Sequence, residues 1–483
     1  MAYKHGVYTS EVATSMVAPI TGTAGLQVIV GTAPVNMLKD PAAAVNVPLL
    51  VNSYKEAVEA VGYLPDFANY TLCECISANF SVVGIAPMVL INVLDPAKHK
   101  VAITGGTVQV NDGVAVLEET GVLLEGLTVK SGSNTLTAGT DYTTTWNDDG
   151  TLNIVVLSTG AGKEATSLTV TGNKIDPSKV TAADIVGGVD SSTGKETGLE
   201  VARQVYPKLS MTPGILLAPR FSKDATVAAA LQAKTKSINS VFGAVCVVDI
   251  DCSNTGATKY TAVKTTKEAQ AVSDPNAYAV WPFAKVGNTV YSGSALAAAL
   301  TAYTDAQNDD TPNVSPSNKT IAISAACLED GTEVVLDQEQ ANTVNSFGVA
   351  TWLNMNGFRL WGNNTAAYPG ISDPKDRWFS VRRFLTWAAN TFILTYFQKV
   401  DSPANKRLIE AIVDSENVRG NSFVSRGICA RHEIQYIESE NPTTSLLNGC
   451  ITFHKYLSPF NPAEDIEELV EFDPNAISDA LGG

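Results

Sequence analysis

Leu26-Gln27-Val28-Ile29-Val30, closed by Gly31, is the stretch from which the architecture follows. A short, mostly apolar run ended by glycine is the pattern of a strand buried on both faces. Downstream, Ser53-Tyr54-Lys55-Glu56 reads as a capping box, with Ser53 at the N-cap and Glu56 at N3. Ala57, Val58 and Val61 form the apolar face of that helix, and Gly62 stops it. A second helix is expected from Leu72 to Val83 before Gly84, then another buried strand from Met88 to Leu94, ended by Asp95-Pro96. Strand, helix, helix, strand is the opening of an α/β domain.

From Lys98 to Asp190 the texture changes to threonine- and glycine-rich sequence of period 2. Tyr142–Trp146 and Leu152–Val156 alternate about the turn signal Asn147-Asp148-Asp149-Gly150. This block reads as a β-sandwich-like domain. After it the α/β texture returns, with strands at 214–218, 241–250 and 277–283 and helices at 225–238 and 294–303. The β block is therefore read as an insertion into one discontinuous domain. The expected fold class is multidomain α/β and α+β. The parts are an N-terminal arm (1–21), a discontinuous α/β domain (22–97 and 191–346), the inserted β domain (98–190), an α+β C-terminal domain (347–463) and a C-terminal arm (464–483).

In the C-terminal part, Phe384, Leu385, Trp387, Phe392, Ile393, Leu394 and Phe397 surround one helix, which should be buried on most sides. Ser402-Pro403 is read as the start of the next helix, with Leu408, Ile409, Ile412 and Val413 as its apolar stripe. Strands follow at 428–437 and 449–457. The final segment has seven acids and no lysine or arginine from Asn461 onward. Within it Ile466, Val470 and Phe472 alternate as the apolar edge of an acidic strand outside the body. Val7, Tyr8 and Val12 form a similar strand-like stretch in an extended N-terminal arm; the ordinary alternative is a frayed terminus.

The 483 residues carry 45% apolar and 17% charged side chains, values of a chain that buries real cores. A net charge of −16 with no basic run argues against nucleic acid as a partner. No apolar stretch approaches the roughly 18 residues of a membrane span, so no membrane insertion is expected. Seven scattered cysteines and no signal-peptide core fit synthesis in a reducing cytoplasm, with thiols serving as small buried hydrophobes.

Catalytic signatures fail in turn. Gly160-Ala161-Gly162-Lys163 resembles a phosphate loop, but Leu157 and Glu164 stand where Gly and Ser or Thr are required. His432-Glu433-Ile434-Gln435-Tyr436 lacks the second histidine of a zinc-protease helix. Cys73 and Cys75 point to different helix faces, and Cys246 and Cys252 have no neighbouring histidine. Ser292-Gly293-Ser294 lacks the spacing of a nucleophile elbow. Carboxylate pairs such as Glu118-Glu119 and Glu467-Glu468 read as solvated faces, and a paired acid/base site stays open. No enzyme activity, catalytic residue, metal or cofactor is expected.

Further segments are Gly6-Val7-Tyr8-Thr9-Ser10-Glu11-Val12, Thr21-Gly22-Thr23-Ala24-Gly25, Val30-Gly31-Thr32-Ala33-Pro34 and Asn92-Val93-Leu94-Asp95-Pro96. In the last third come Gly357-Phe358-Arg359-Leu360-Trp361-Gly362-Asn363-Asn364-Thr365, Val381-Arg382-Arg383, Asn441-Pro442 and Pro462-Ala463-Glu464-Asp465-Ile466. Together these resemble the tail sheath proteins of contractile-tailed, myovirus-type bacteriophages and related contractile injection systems. The resemblance covers both ends and most of the α/β and C-terminal regions, and it is weak over 98–190.

The resemblance implies a structural subunit that polymerises helically around an inner tail tube and contracts to drive it through a bacterial envelope. Implied partners are identical subunits, the tube protein, and baseplate and tail terminator proteins. The implied place is the virion tail, built in the bacterial host cytoplasm. N- and C-terminal strands of other subunits would add to a sheet in the C-terminal domain, at an edge among 428–437 and 449–457. A head-to-tail contact that does not close generates an open helix. Arg382, Arg383, Lys406 and Arg407 form a basic spot that could touch the tube; solvated helix ends and intradomain pairs are the alternative. Two other readings stay in view: another self-assembling shell protein, and an α/β enzyme with an unrecognised site.

Overall fold

A computed structural model of the chain describes residues 23–103 and 106–482, so the N-terminal residues Val7, Tyr8 and Val12 lie outside the described part. The largest element is an eight-stranded sheet. In chain order its strands are β1 (Gln27–Gly31), β2 (Leu49–Val51), β3 (Met88–Asn92), β4 (Ile215–Leu217), β5 (Val245–Asp249), β6 (Ala277–Val280), β7 (Val349–Asn354) and β8 (Phe358–Trp361). They stand in the order β2-β3-β1-β4-β5-β6-β7-β8. The inner strands are parallel, and β2 and β8 add antiparallel at the two ends. Parallel strands covered on both faces need apolar residues on both. Accordingly β1, β3, β4, β5 and β6 are buried along their whole length.

The sheet does not stop at 346, where the sequence reading put a boundary. Val349 and Ala350 pair with Ala279 and Val280, so β7 and β8 continue the same sheet to Trp361. Trp352 is buried there, its indole N–H donating to the Pro282 carbonyl at 2.9 Å.

The first helix, α1 (Tyr54–Val61), starts at Ser53, whose hydroxyl accepts from the Glu56 N–H at 3.2 Å. The reciprocal half of the expected box reaches one residue further back. Glu56 Oε2 accepts from the Asn52 N–H at 2.8 Å. The second helix, α2 (Thr71–Ser77), continues as a wider π-type turn to Val83 and ends on left-handed Gly84.

Between β3 and β4 the chain leaves to build a separate all-antiparallel sheet of seven strands with its own core, including Val129, Tyr142, Leu152, Ile154 and Leu168. The expected hairpin of Tyr142–Trp146 with Leu152–Val156 forms, with Trp146 opposite Leu152. In its hydrogen bonding the block is one continuous sheet, because Gly106–Asn111 pairs with Ser167–Thr171 on one side and with Val114–Leu117 on the other. The ladder of Lys100–Ala102 with Asn173–Ile175 forms its neck.

Past β4, α3 (Ala225–Thr235), α4 (Gly293–Ala306) and α5 (Gln338–Ser346) pack around the main sheet. The C-terminal part holds two long helices, α6 (Phe379–Tyr396) and α7 (Lys406–Ser425), and the two-stranded sheet β9 (Cys429–Gln435) with β10 (His454–Pro459). Phe384, Trp387, Ala388, Phe423, Ile428 and Cys429 form a core between them.

Two expectations are corrected here. Helix α7 begins three residues beyond Ser402-Pro403, because Asn405 supplies the cap: its Oδ1 accepts from the Leu408 N–H at 2.9 Å. Phe397 lies past the end of α6 and is 71% exposed, while the helix itself is buried on most sides as expected.

Candidate assembly surfaces

Several polar residues that could carry chemistry are turned inward and paired within the fold. Topology places a ligand crevice beyond the carboxyl ends of β1 and β4, where the strand order reverses. Thr71 and Leu72 lie against Gly31 at the β1 side of it. Thr71 Oγ1 accepts from the Thr32 N–H at 3.2 Å, and a Cβ on Gly31 would collide with Thr71. Asp249, buried at the end of β5, accepts from the Ser294 N–H at 2.7 Å and from the Ser294 hydroxyl at 2.5 Å. Glu74 accepts two bonds from Arg220, at 3.1 and 3.2 Å.

The segment Gly160–Lys163 is a turn packed on Asp141, whose carboxylate accepts from the Ala161 N–H at 2.7 Å. Six of the seven cysteines are buried, as expected; Cys450 is exposed. Among the described residues no cluster of His, Cys, Asp or Glu is placed to hold a metal, and no helix is long and apolar enough to cross a membrane.

His432 lies on β9 and faces Glu416 of α7, Nε2 to Oε1 3.1 Å. Lys455 of β10 reaches the same carboxylate at 2.7 Å, Arg419 at 2.5 Å, and the Tyr396 hydroxyl at 3.3 Å. Burial pushes the Glu416 carboxyl up, but the bond from His432 and the charges of Lys455 and Arg419 outweigh it. The carboxyl is held well below the usual range. Burial pulls His432 below its ordinary value. The cluster ties α7 to both strands of the small sheet.

That sheet has one closed edge and one open edge. Asn417 of α7 spans the backbone of Ile434, accepting from its N–H at 2.8 Å and donating to its carbonyl at 3.0 Å. Gly420 brings the same helix against the His432 carbonyl, with no room for a Cβ. Helix α7 thus occupies the outer edge of β9. Backbone groups alternate in direction along an antiparallel ladder. With Ile434 opposite Lys455 and His432 opposite Leu457, the outward groups of β10 are those of Lys455 and Leu457. Among the described residues β10 has only β9 as a neighbouring strand. Beside the β9 end lies a cavity of about 750 Å³ lined by Ile409, Val413, Ile434, Tyr436, Leu446 and Ile451 among others.

After β10 the chain runs over the body and then leaves it. Among the described residues no strand pairing involves 460–473. Ile466, Val470 and Phe472 are 87%, 84% and 74% exposed, so their apolar edge has no cover in this subunit. A short helix, α8 (Pro474–Ala480), which the sequence reading missed, ends the segment with Ile477 and Leu481 exposed.

The four basic residues do not form one spot. Arg383 is buried in an ion pair with Asp305, each side chain 2% exposed, and cannot face a partner. Arg382 is half-buried and paired with Asp376 at 3.2 Å. Lys406 and Arg407 are exposed. Phe384 packs on Phe423 and Tyr396 reaches Glu416, so α6 and α7 run antiparallel. The two arginines and the Lys406-Arg407 pair therefore sit at opposite ends of this hairpin, separated by ~24 Å of helix. Sequence proximity to the same two helices had suggested a cluster that their antiparallel packing separates.

Comparison with known proteins follows this geometry. No protein-family model matches the chain. It is 28% identical over 503 aligned residues to the tail sheath protein of Burkholderia phage BcepMu, which covers 100% of this chain and 99% of that one. It is 27% identical over 295 residues to the tail sheath protein of Escherichia phage P2, covering 59% and 69% of the two chains. The fold matches the sheath of the PVC extracellular contractile injection system in its contracted state, with a TM-score of 0.58, 14% identity and 99% coverage of both chains.

An α/β body with an inserted β sheet, a small sheet with an open edge and a detached apolar terminus is the build of a structural subunit made for assembly. The chain is such a subunit: a structural sheath protein related to the tail sheath proteins of contractile phages.

Proposed function

We propose that the chain polymerises with copies of itself into a helical sheath around an inner tail tube, and that the polymer contracts to drive the tube through a bacterial envelope. The observation that carries this reading is that one chain holds both an uncovered apolar segment at Ile466, Val470 and Phe472 and, among the described residues, an unpaired edge on β10. Strand addition at such an edge takes affinity from backbone hydrogen bonds and specificity from alternate side chains. The N-terminal arm with Val7, Tyr8 and Val12 is the second donor. Repeated head to tail without closing, these contacts build an open helix.

In this reading residues 22–97 and 191–361 form the sheath's α/β body, 98–190 an outer domain and 362–463 the part facing the tube. Lys406 and Arg407 are the two of the four basic residues free to meet an acidic tube surface, through contacts that salt weakens. Baseplate and terminator proteins are the partners at the two ends, and the virion tail is the location. Contraction is a switch between two packings of the same bodies, the arms staying engaged while the bodies slide. The role is structural rather than catalytic.

Electron microscopy of the purified chain, alone and with its tube partner, tests the proposal. Hollow striated tubes are the expected product, and a chain lacking residues 1–14 should stay folded but build none. Normal tubes from that truncation would overturn the arm assignment.

A further inference from the structure

The start of the described chain at Thr23 and the root of the C-terminal arm at Glu464 are both held by one short stretch of chain. On the C-terminal side, the Arg377 guanidinium lies over the Trp378 ring, 4.0 Å from its centroid, and over the Tyr368 ring at 4.7 Å. Its Nε donates to Asn364 Oδ1 at 3.0 Å, which fixes the plane. With that plane set, a terminal nitrogen donates to Glu464 Oε2 at 2.5 Å. Glu464 is the last arm residue with a partner in the body; beyond it the chain is exposed from Asp465 to Leu481, Ser478 aside.

On the N-terminal side, Arg383 donates to the carbonyl of Ala24 at 3.2 Å while its charge is neutralised by Asp305. Ala24 also packs on the aromatic core of α6, and the Thr23 N–H donates to Thr212 Oγ1 at 2.8 Å. Thus Arg377 and Arg383, on either side of the start of α6, each hold the root of one arm.

We infer that the stretch from Arg377 to Arg383 is a bracket that fixes the take-off points of both arms relative to each other, so that this subunit's own body sets the geometry passed from copy to copy. This rests on the reading of the termini as inter-subunit arms. The physical reason is slack. Without the Arg377 contact the arm is free from the end of β10 at Pro459, which adds five residues, about 17 Å of possible reach. A strand so loosened can still pair, but it no longer reports where its own body stands. Arg377 is a positioning residue here: it touches the root of the arm and not the surface on which the arm docks.

Two measurements separate this from the arm reading itself. In the free subunit, with Cys450→Ser, nitroxide labels on Ala463→Cys and Glu339→Cys read the arm root against the body. A narrow distance distribution is expected, at least twofold broader with Arg377→Ala, while the thermal midpoint stays within a few degrees. An unchanged width would overturn the bracket whether or not the chain makes tubes.

In tubes, Arg377→Ala and Glu464→Gln should each spread or shift the helical twist, and Arg377→Lys should not restore it, because lysine offers no planar fork to stack. Glu467→Gln, an arm acid with no partner in the body, should leave the twist as in the wild type. Arg377→Ala tubes with wild-type twist and order would overturn the inference. Failure of the wild-type chain to make tubes would count against the arm reading instead, leaving the label measurement to decide the bracket.

Discussion

Arg383 and Asp305 bury opposite charges against one another where α6 meets the end of α4, each side chain 2% exposed. Burial alone would push the Asp305 carboxyl up; the guanidinium opposes it. Removing one partner of such a pair strands a charge in a poor solvent, which costs about 3–5 kcal/mol. Arg383→Ala should therefore lower the urea midpoint steeply, and Arg383→Ala with Asp305→Ala should recover part of the loss. A midpoint unchanged in the single variant would show the pair to be solvated.

Lys267 is a second buried cation, and it has no carboxylate partner among its hydrogen bonds. Its ammonium donates to the carbonyls of Phe347, Ala366 and Tyr368 at 2.6, 2.6 and 3.1 Å, tying three segments together. Lys267→Met keeps the aliphatic stem and leaves three carbonyls without that donor. A loss of about 2–4 kcal/mol is expected, read from denaturant unfolding.

The Glu416 cluster makes the C-terminal unit sensitive to acid. A carboxyl held low in the fold contributes fully above its unfolded value, near 4.5, and that contribution erodes as pH falls below it. His432, pulled below 6.5 in the fold, acts in the same direction, since the unfolded chain takes up its proton first as pH drops through that value. Stability should thus fall as pH drops through 6.5 and again below 4.5, and the slope below 4.5 should flatten in Glu416→Gln. Equal slopes in the two proteins would remove the cluster from the explanation.

The open edge of β10 can be blocked without dissolving the small sheet. The N–H of Leu457 points away from β9, so Leu457→Pro removes a donor only an added strand would use. The expected result is a folded subunit, less stable by about 1–2 kcal/mol from lost packing, that builds no tubes. Sedimentation and electron microscopy check this, and normal tubes would exclude the edge.

Phe472→Lys together with Ile466→Lys tests the donor side. Both side chains are uncovered in the subunit, so its thermal midpoint should not move, while assembly should be lost. A fall in the midpoint of the free subunit would instead mean that the arm packs on its own body.

The parts legible in the sequence were those decided locally. The apolar run at Leu26–Val30 could only be a strand covered on both faces, and the Asn147–Gly150 signal placed a hairpin that the structure contains. Ser53 was recognisable as a cap because capping bonds span three residues. The start of α7 was misplaced because Ser402-Pro403 and Asn405 are both good local caps, and only the fold selects between them. Phe397 looked like core because it follows a helix of buried aromatics, yet the helix ends one residue before it.

What the sequence determined by itself was the class of most elements of the body, the separate character of the inserted block and the exposed, acidic terminus, since these follow from periodicity and composition. The tertiary structure decided which surfaces are free. Asn417 closes the edge of β9 from 17 residues away, and Arg383 is consumed by an aspartate 78 residues before it. Arg377 meets Glu464 across 87 residues. Each is a meeting of groups distant along the chain, and no local pattern encodes which polar groups will be left without a partner once the cores have packed.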